Sequence, residues 1–318
     1  MPTIVILDSD PLFSSKEELA RLSKLGVVRL YSNSRSEDVV ERCRDAEIVL
    51  TTKVVLNRSL LEQLPRLQYI GVTTTGVDVV DLEAARARKI VVTHVPSYGA
   101  ASVAQHAAAL LLAATNHVSA YHTAVRQREW SRSHSFCLLQ QPLLELEGLT
   151  LGLLGAGQIG TAFAQIGRAF GMKVTALKRS GSQRTVAGVE YVDWTPFWSE
   201  SDVISLHAPL YRETKNIVNV ETLALMKPTA ILVNTSRGGL VDQDALAAAL
   251  KHGQILCAVL DVLAEEPPRP DCPLLDLENC IITPHIAWAG EKSHRRLVNQ
   301  VIENLQAFLA GAPIRVVS

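Results

Sequence analysis

The sequence predicts an α/β protein made of two parallel-sheet domains. Apolar runs of strand length alternate with amphipathic stretches of helix length, the pattern of strands joined by crossover helices. The alternation comes in two series, separated by Pro96-Ser97-Tyr98-Gly99 and a long apolar stretch. A chain of 318 residues also exceeds one ordinary domain of roughly 100–200 residues.

In the first series strands are expected over 3–7, 27–31, 48–51, 69–72 and 90–92, with helices over 16–25 and 81–88. The stretch 101–114 is apolar on most faces, so its helix is expected to be buried, between domains or in a subunit interface. The second series places strands at 151–154, 173–177, 203–206, 230–233, 255–259 and 281–282. A last helix over 293–309 carries Leu297, Val301, Leu305 and Phe308 at helical spacing. The simplest arrangement inserts a cofactor domain, 101–287, into a substrate domain made of 1–100 and a helix returning in 288–318.

Hydrophobic residues make up 47% and charged residues 20%, as in a globular protein with a large core. The net charge of −1 gives no field that would recruit nucleic acid or an acidic membrane. The opening MPTIVILDSD has no basic leader, and the longest apolar run, Ala107 to Ala114, is too short to cross a bilayer. Five cysteines form no C-x-x-C pair, and reduced, mostly buried thiols in a cytoplasmic protein are expected. The histidines show no metal-ligand spacing, so no metal is expected.

Gly155-Ala156-Gly157-Gln158-Ile159-Gly160 completes G-x-G-x-x-G between the strand Leu151-Gly152-Leu153-Leu154 and a helix that runs from Thr161 to Phe170. Gly155 makes the tight turn, Gly157 lets the backbone approach a pyrophosphate, and Gly160 permits close helix–strand packing. The N–H groups at the helix start, Gln158 and Ile159 among them, face the phosphate charge. The alternative is a glycine turn that serves packing only. The next strand usually ends in an acidic residue that holds the ribose hydroxyls. Here Lys178-Arg179-Ser180 stand there and no carboxylate is available. Two cations and a hydroxyl suit a 2′-phosphate, so among nicotinamide coenzymes NADP(H) is favoured over NAD(H). A solvated basic turn that tolerates NAD is the other reading.

Ligands of an open α/β sheet bind at the carboxyl ends of its strands. Arg237, Glu266 and His285 each follow a different strand of the second series closely. Reducing a 2-keto acid needs hydride at the carbonyl carbon and a proton on its oxygen. A histidine is suited to give that proton near neutral pH. A carboxylate bonded to its second ring nitrogen would orient it, and an arginine fork would grip the substrate carboxylate. Taken singly, Arg237 reads equally as an ion-pair partner, Glu266 as a turn charge and His285 as a core histidine. Together, beside the glycine motif, they point to a dehydrogenase of small 2-hydroxy acids.

With Gly155–Gly160, Ser205-Leu206-His207-Ala208-Pro209-Leu210, 234–241, 258–267 and 283–288, the chain resembles the D-isomer-specific 2-hydroxyacid dehydrogenases over nearly its whole length. The resemblance implies two doubly wound domains, a Rossmann coenzyme domain inserted in a flavodoxin-like substrate domain, and a homodimer. It implies Arg237 for substrate, Glu266 for tuning the histidine and His285 as acid/base. It also implies that Asp261 meets the nicotinamide amide and that His207, Thr235, Ser236 and Arg237 line the coenzyme. Thr74-Thr75-Gly76-Val77 resembles the loop whose N–H groups hold the substrate carboxylate.

Four features resemble the glycerate dehydrogenase/hydroxypyruvate reductase branch: Thr52-Lys53-Val54-Val55, Ser102-Val103-Ala104-Gln105-His106, Trp130 with Phe136-Cys137, and His285-Ile286-Ala287-Trp288-Ala289. Reduction of hydroxypyruvate and glyoxylate is the expected activity. The rivals are 3-phosphoglycerate and D-lactate-type dehydrogenases, although no regulatory domain is expected after residue 318. A further rival is an NAD(H)-sensing corepressor that binds peptides. Trp288 either walls the substrate pocket or only packs. Gln105 and His106 serve a dimer contact or core hydrogen bonds, and Arg126, Arg128, Arg132 and His134 a solvated arm or subunit contact. His94 stands where the family more often has Asn, with no consequence legible in sequence.

Overall fold

The computed structural model describes residues 1–10, 12–13, 15–178 and 185–318. Its contacts divide the chain into two units, Met1–Gly99 with Ala289–Ser318, and Ala100–Trp288. In the first, β1 (Thr3–Ile6), α1 (Lys16–Ser23), β2 (Val27–Leu30), α2 (Val39–Cys43), β3 (Ile48–Thr51), α3 (Arg58–Glu62), β4 (Tyr69–Val72), α4 (Leu82–Ala87) and β5 (Val91–Thr93) follow one another. The strands pair parallel in the order β2-β1-β3-β4-β5, the flavodoxin-like order. β3 and β4 are buried throughout, which is why they read as near-continuous apolar runs. Polar side chains set the helix starts: Ser15 with Glu18 forms a capping box on α1, and Asn57 and Asp81 cap α3 and α4.

The second unit runs α5 (Ala100–Asn116), α6 (Val118–Arg126), β6 (Thr150–Leu154), α7 (Gln158–Ala169), β7 (Lys173–Leu177), β8 (Glu190–Val192) and α8 (Trp194–Glu200). It continues with β9 (Val203–Leu206), α9 (Val220–Leu225), β10 (Ile231–Asn234), α10 (Gln243–Lys251), β11 (Cys257–Leu260) and β12 (Cys280–Ile282). The sheet order is β12-β11-β10-β9-β6-β7-β8, all parallel. Chain order therefore reverses between β6 and β9, and the crevice of a doubly wound sheet opens there. Two apolar layers sandwich the sheet. One is built around Phe197 and Trp198, the other around Phe163 and the inner face of α5. Each fully buried side chain of this size contributes roughly 1.5–3 kcal/mol. Within its own unit α5 packs on α7, β10 and β11, burying Val103, Ala104, Ala107, Ala108, Leu110 and Leu111.

Register makes this sheet a platform. Leu154, Leu206, Asn234, Leu260 and Ile282 stand side by side in one row of neighbouring strands. The loops that begin at 155, 207, 235, 261 and 283 thus leave from a single edge. α7 and α10 end on left-handed glycines, Gly171 and Gly253, which only a residue without Cβ adopts cheaply. The closing helix α11 (Glu291–Leu309) returns to the first unit and buries Leu297, Val298, Val301, Ile302 and Leu305 on one face. Its Phe308 ring lies 4.6 Å from that of Tyr69 on β4.

Candidate active site

The glycine loop follows β6 where the fold opens its crevice. Gly155 has φ +102°, and a Cβ there would lie 2.9 Å from the His207 carbonyl, so the turn after β6 lies this close to the loop after β9 only because it is glycine. A Cβ on Gly160 would collide with the Gly155 carbonyl, whereas nothing lies within 4 Å of the place a Cβ would take on Gly157. That open cradle lies at the N-terminus of α7, where no side chain caps the first turn. The N–H groups of Gln158, Ile159 and Gly160 are therefore presented to an anion.

His207 packs edge-on to Phe163, ring centroids 5.6 Å apart, and its Nε2 lies 2.9 Å from Ser205 Oγ. Burial pushes its pKa down to about 4, so the ring is neutral at physiological pH. Beyond β10, Thr235 Oγ1 is buried without a hydrogen-bond partner among the described residues, and Ser236 Oγ donates to the Ala208 carbonyl at 2.7 Å. A phosphate cradle, an orphaned hydroxyl and a helix N-terminus fit a nicotinamide dinucleotide. At the end of β7, Lys178 Nζ lies 3.1 Å from Asp193 Oδ1. The sequence reading that no carboxylate is available there is corrected: Asp193 reaches the spot from the residue after the neighbouring strand β8, at the start of α8. Arg179 and Ser180 lie outside the described residues.

The reactive residues occupy the same edge. His285 Nδ1 lies 2.7 Å from Glu266 Oε2, and Glu266 Oε1 accepts the Leu263 N–H at 3.0 Å. The backbone of His285 has φ +56° and donates to the Asp261 carbonyl at 2.9 Å. Asp261, only 1% exposed, accepts from Thr283 Oγ1 (2.6 Å), Ile286 N (2.9 Å) and Ala287 N (2.8 Å). These bonds tie the loop that carries His285 to the end of β11. From α5, Ser102 Oγ donates to the Ala287 carbonyl at 2.7 Å, and His106 Nε2 lies 2.9 Å from Thr283 Oγ1. For His106 a core hydrogen bond was one of the two expected roles; the contact of Ser102 was not foreseen, and its place four residues before His106 on one helix face was the available signal. Trp288 ends this loop, partly buried.

Arg237 follows β10. Asn234 staples its turn, donating to the Arg237 carbonyl at 2.9 Å and accepting the Ser236 N–H at 3.0 Å. Arg237 Nη1 donates to the Ser236 carbonyl at 2.9 Å. Gly238 packs so closely on the Leu263–Ala264 backbone that a Cβ would overlap it. The Arg237 turn and the Glu266 loop are thereby brought together. In the smaller unit, Asp8 holds the loop after β3 through the N–H groups of Thr52, Lys53 and Val54. Thr75 and Gly76 lie in the loop after β4, where Thr75 Oγ1 donates to the Val95 carbonyl at 3.0 Å.

An open parallel sheet with a glycine cradle and a paired histidine and glutamate at one edge defines a nicotinamide-dependent oxidoreductase. Residues 108–287 match the model of the D-isomer specific 2-hydroxyacid dehydrogenase NAD binding domain. The chain is 40% identical to a hydroxypyruvate reductase of Blautia hydrogenotrophica, over 99% of both chains. It is 41% identical to a glycerate dehydrogenase of Methylorubrum extorquens, over 88% of each. Among solved structures it is similar to the NADPH-dependent glyoxylate/hydroxypyruvate reductase of Sinorhizobium meliloti in complex with NADP and malonate. That match has a TM-score of 0.88 and 29% identity, covering 100% of this chain and 97% of the other. The chain belongs to the D-isomer-specific 2-hydroxyacid dehydrogenase family.

Proposed function

We propose that the protein reduces hydroxypyruvate and glyoxylate to D-glycerate and glycolate, with His285 as the proton donor. The observation that carries the reading is the 2.7 Å contact between His285 and Glu266 on the sheet edge that bears the glycine cradle. A carboxylate oxygen only accepts, so Nδ1 carries a proton and transfer to the carbonyl oxygen falls to Nε2. Arg237 draws charge from the carbonyl and grips the carboxylate, and the N–H groups of Thr75 and Gly76 are anion donors in the smaller unit. Trp288 favours small acids by its bulk. Bound at Gly155, Gly157, Gln158, Ile159 and Gly160, the coenzyme supplies the hydride. Thr235, Ser236 and His207 line its site, and Asp261 both holds the His285 loop and meets the nicotinamide amide.

Lys178, with Arg179 and Ser180, supports NADP(H) as the preferred coenzyme. The exposed Lys178–Asp193 pair is worth little and yields to a phosphate. The protein acts in the cytoplasm, where its five free thiols stay reduced. It acts as a homodimer through the arm after α6, which exposes Phe136 at 92% and Leu139 at 75%. A panel of 2-keto acids assayed with both coenzymes tests the substrate reading. Fastest turnover of hydroxypyruvate or glyoxylate with NADPH is expected, and turnover confined to other acids would overturn it.

A further inference from the structure

We propose that His94 is a positioning residue that aims the anion-binding peptides of the loop after β4, and that position 94 requires a donor nitrogen at the δ position. The inference deepens, and rests on, the reading of Thr75 and Gly76 as carboxylate donors.

Three successive carbonyls of this loop are held. Thr74 O accepts from Val95 N at 3.0 Å, Thr75 O from His94 Nδ1 at 2.9 Å, and Gly76 O from Thr74 Oγ1 at 2.7 Å. In a trans peptide the N–H points opposite to the carbonyl of the same unit. Tethering these carbonyls therefore turns the N–H groups of Thr75, Gly76 and Val77 away from their tethers. None of the three donates to a protein acceptor among the described residues. The middle unit of the three hangs on a side chain alone, and that side chain is His94. A carbonyl offers no proton, so Nδ1 must carry one.

The ring is rooted firmly. The His94 N–H donates to Arg315 O at 3.2 Å, and the His94 carbonyl accepts from Asn304 Nδ2 at 2.9 Å. Asn304 is buried in α11, and Arg315 Nη1 donates to its Oδ1 at 2.8 Å. The C-terminal segment thus fixes the backbone from which the ring reaches Thr75. Asparagine attaches its amide nitrogen to the same Cγ as the histidine Nδ1, so both residue types offer one donor at one place.

Steady-state reduction of hydroxypyruvate by the full chain and by His94→Asn, His94→Gln and His94→Leu tests the inference, with oxalate affinity measured by calorimetry alongside. Gln and Leu lack a donor at the δ position and should raise KM for the keto acid about tenfold or more, roughly 1.4 kcal/mol. The coenzyme KM and kcat should stay near wild type, and Asn should restore the keto-acid KM. Unchanged KM in Gln and Leu, or an Asn variant as impaired as Leu, overturns the inference while the functional reading stands. If the wild type reduces neither hydroxypyruvate nor glyoxylate, the functional reading fails and oxalate decides. Affinity lost in Gln and Leu but kept in Asn then supports the role of His94. Equal affinity in all four proteins, or no binding to the wild type, overturns it.

Discussion

His285 Nδ1 and Glu266 Oε2 lie 2.7 Å apart, with side chains 27% and 21% exposed, so the pair is fixed yet open enough to meet a substrate. The carboxylate selects the tautomer and aims the ring. Replacing Glu266 with Gln keeps the size and an accepting oxygen but removes the charge. We expect kcat to fall about 10²-fold. Coenzyme affinity, read by fluorescence titration, should hold. Unchanged kcat would detach Glu266 from proton transfer.

Gly238 is the joint between the Arg237 turn and the Glu266 loop, because its missing Cβ lets it lie on the Leu263 backbone. Gly238→Ala should lower the urea midpoint by the equivalent of about 1–3 kcal/mol. It should also cut kcat/KM for the keto acid, since Arg237 and Glu266 are pushed apart. A variant with wild-type stability and activity would show that the contact yields without cost.

His207 predicts a pH dependence of stability. Its pKa is lowered from 6.5 to about 4 by burial. Between those values the unfolded chain binds a proton that the folded chain refuses, so stability rises with pH there. The contribution is complete above pH 6.5 and is lost as pH falls toward 4. Thermal midpoints measured across this window should drop on acidification, less steeply in His207→Asn. Identical slopes would refute the assignment.

Much of this fold was legible because strands buried on both faces must be apolar: 48–51 and 69–72 were read as strands, and β3 and β4 occupy those residues. β8 was missed for the converse reason. Glu190-Tyr191-Val192 is a short edge strand with no buried residue, so burial leaves no mark on its sequence. The positions of Arg237, Glu266 and His285 after successive strands could be read from spacing, but what holds them could not. Asp261 binds two backbone N–H groups of the 283–287 loop, and N–H groups carry no residue-type signal. Asp193 escaped for a similar reason, because it meets Lys178 across a strand pair that was not foreseen.

The proposed preference for NADP(H) rests on Lys178. Its partner Asp193 is exposed, so breaking the pair should leave stability unchanged. Lys178→Ala should raise KM for NADPH about tenfold and leave that for NADH near its starting value. Equal effects on both coenzymes would assign Lys178 to general electrostatics rather than to the 2′-phosphate.

Hydride transfer to a 2-keto acid, with the proton supplied by His285, is the central step of the proposed reaction. Consumption of NADPH by hydroxypyruvate, followed by absorbance for the wild type and for His285→Asn, tests it most directly. We expect rapid turnover in the wild type and a kcat lower by about 10²–10⁴-fold in the variant, with NADPH still bound. A variant as fast as wild type, or a wild type that binds NADPH yet reduces no 2-keto acid, would contradict it.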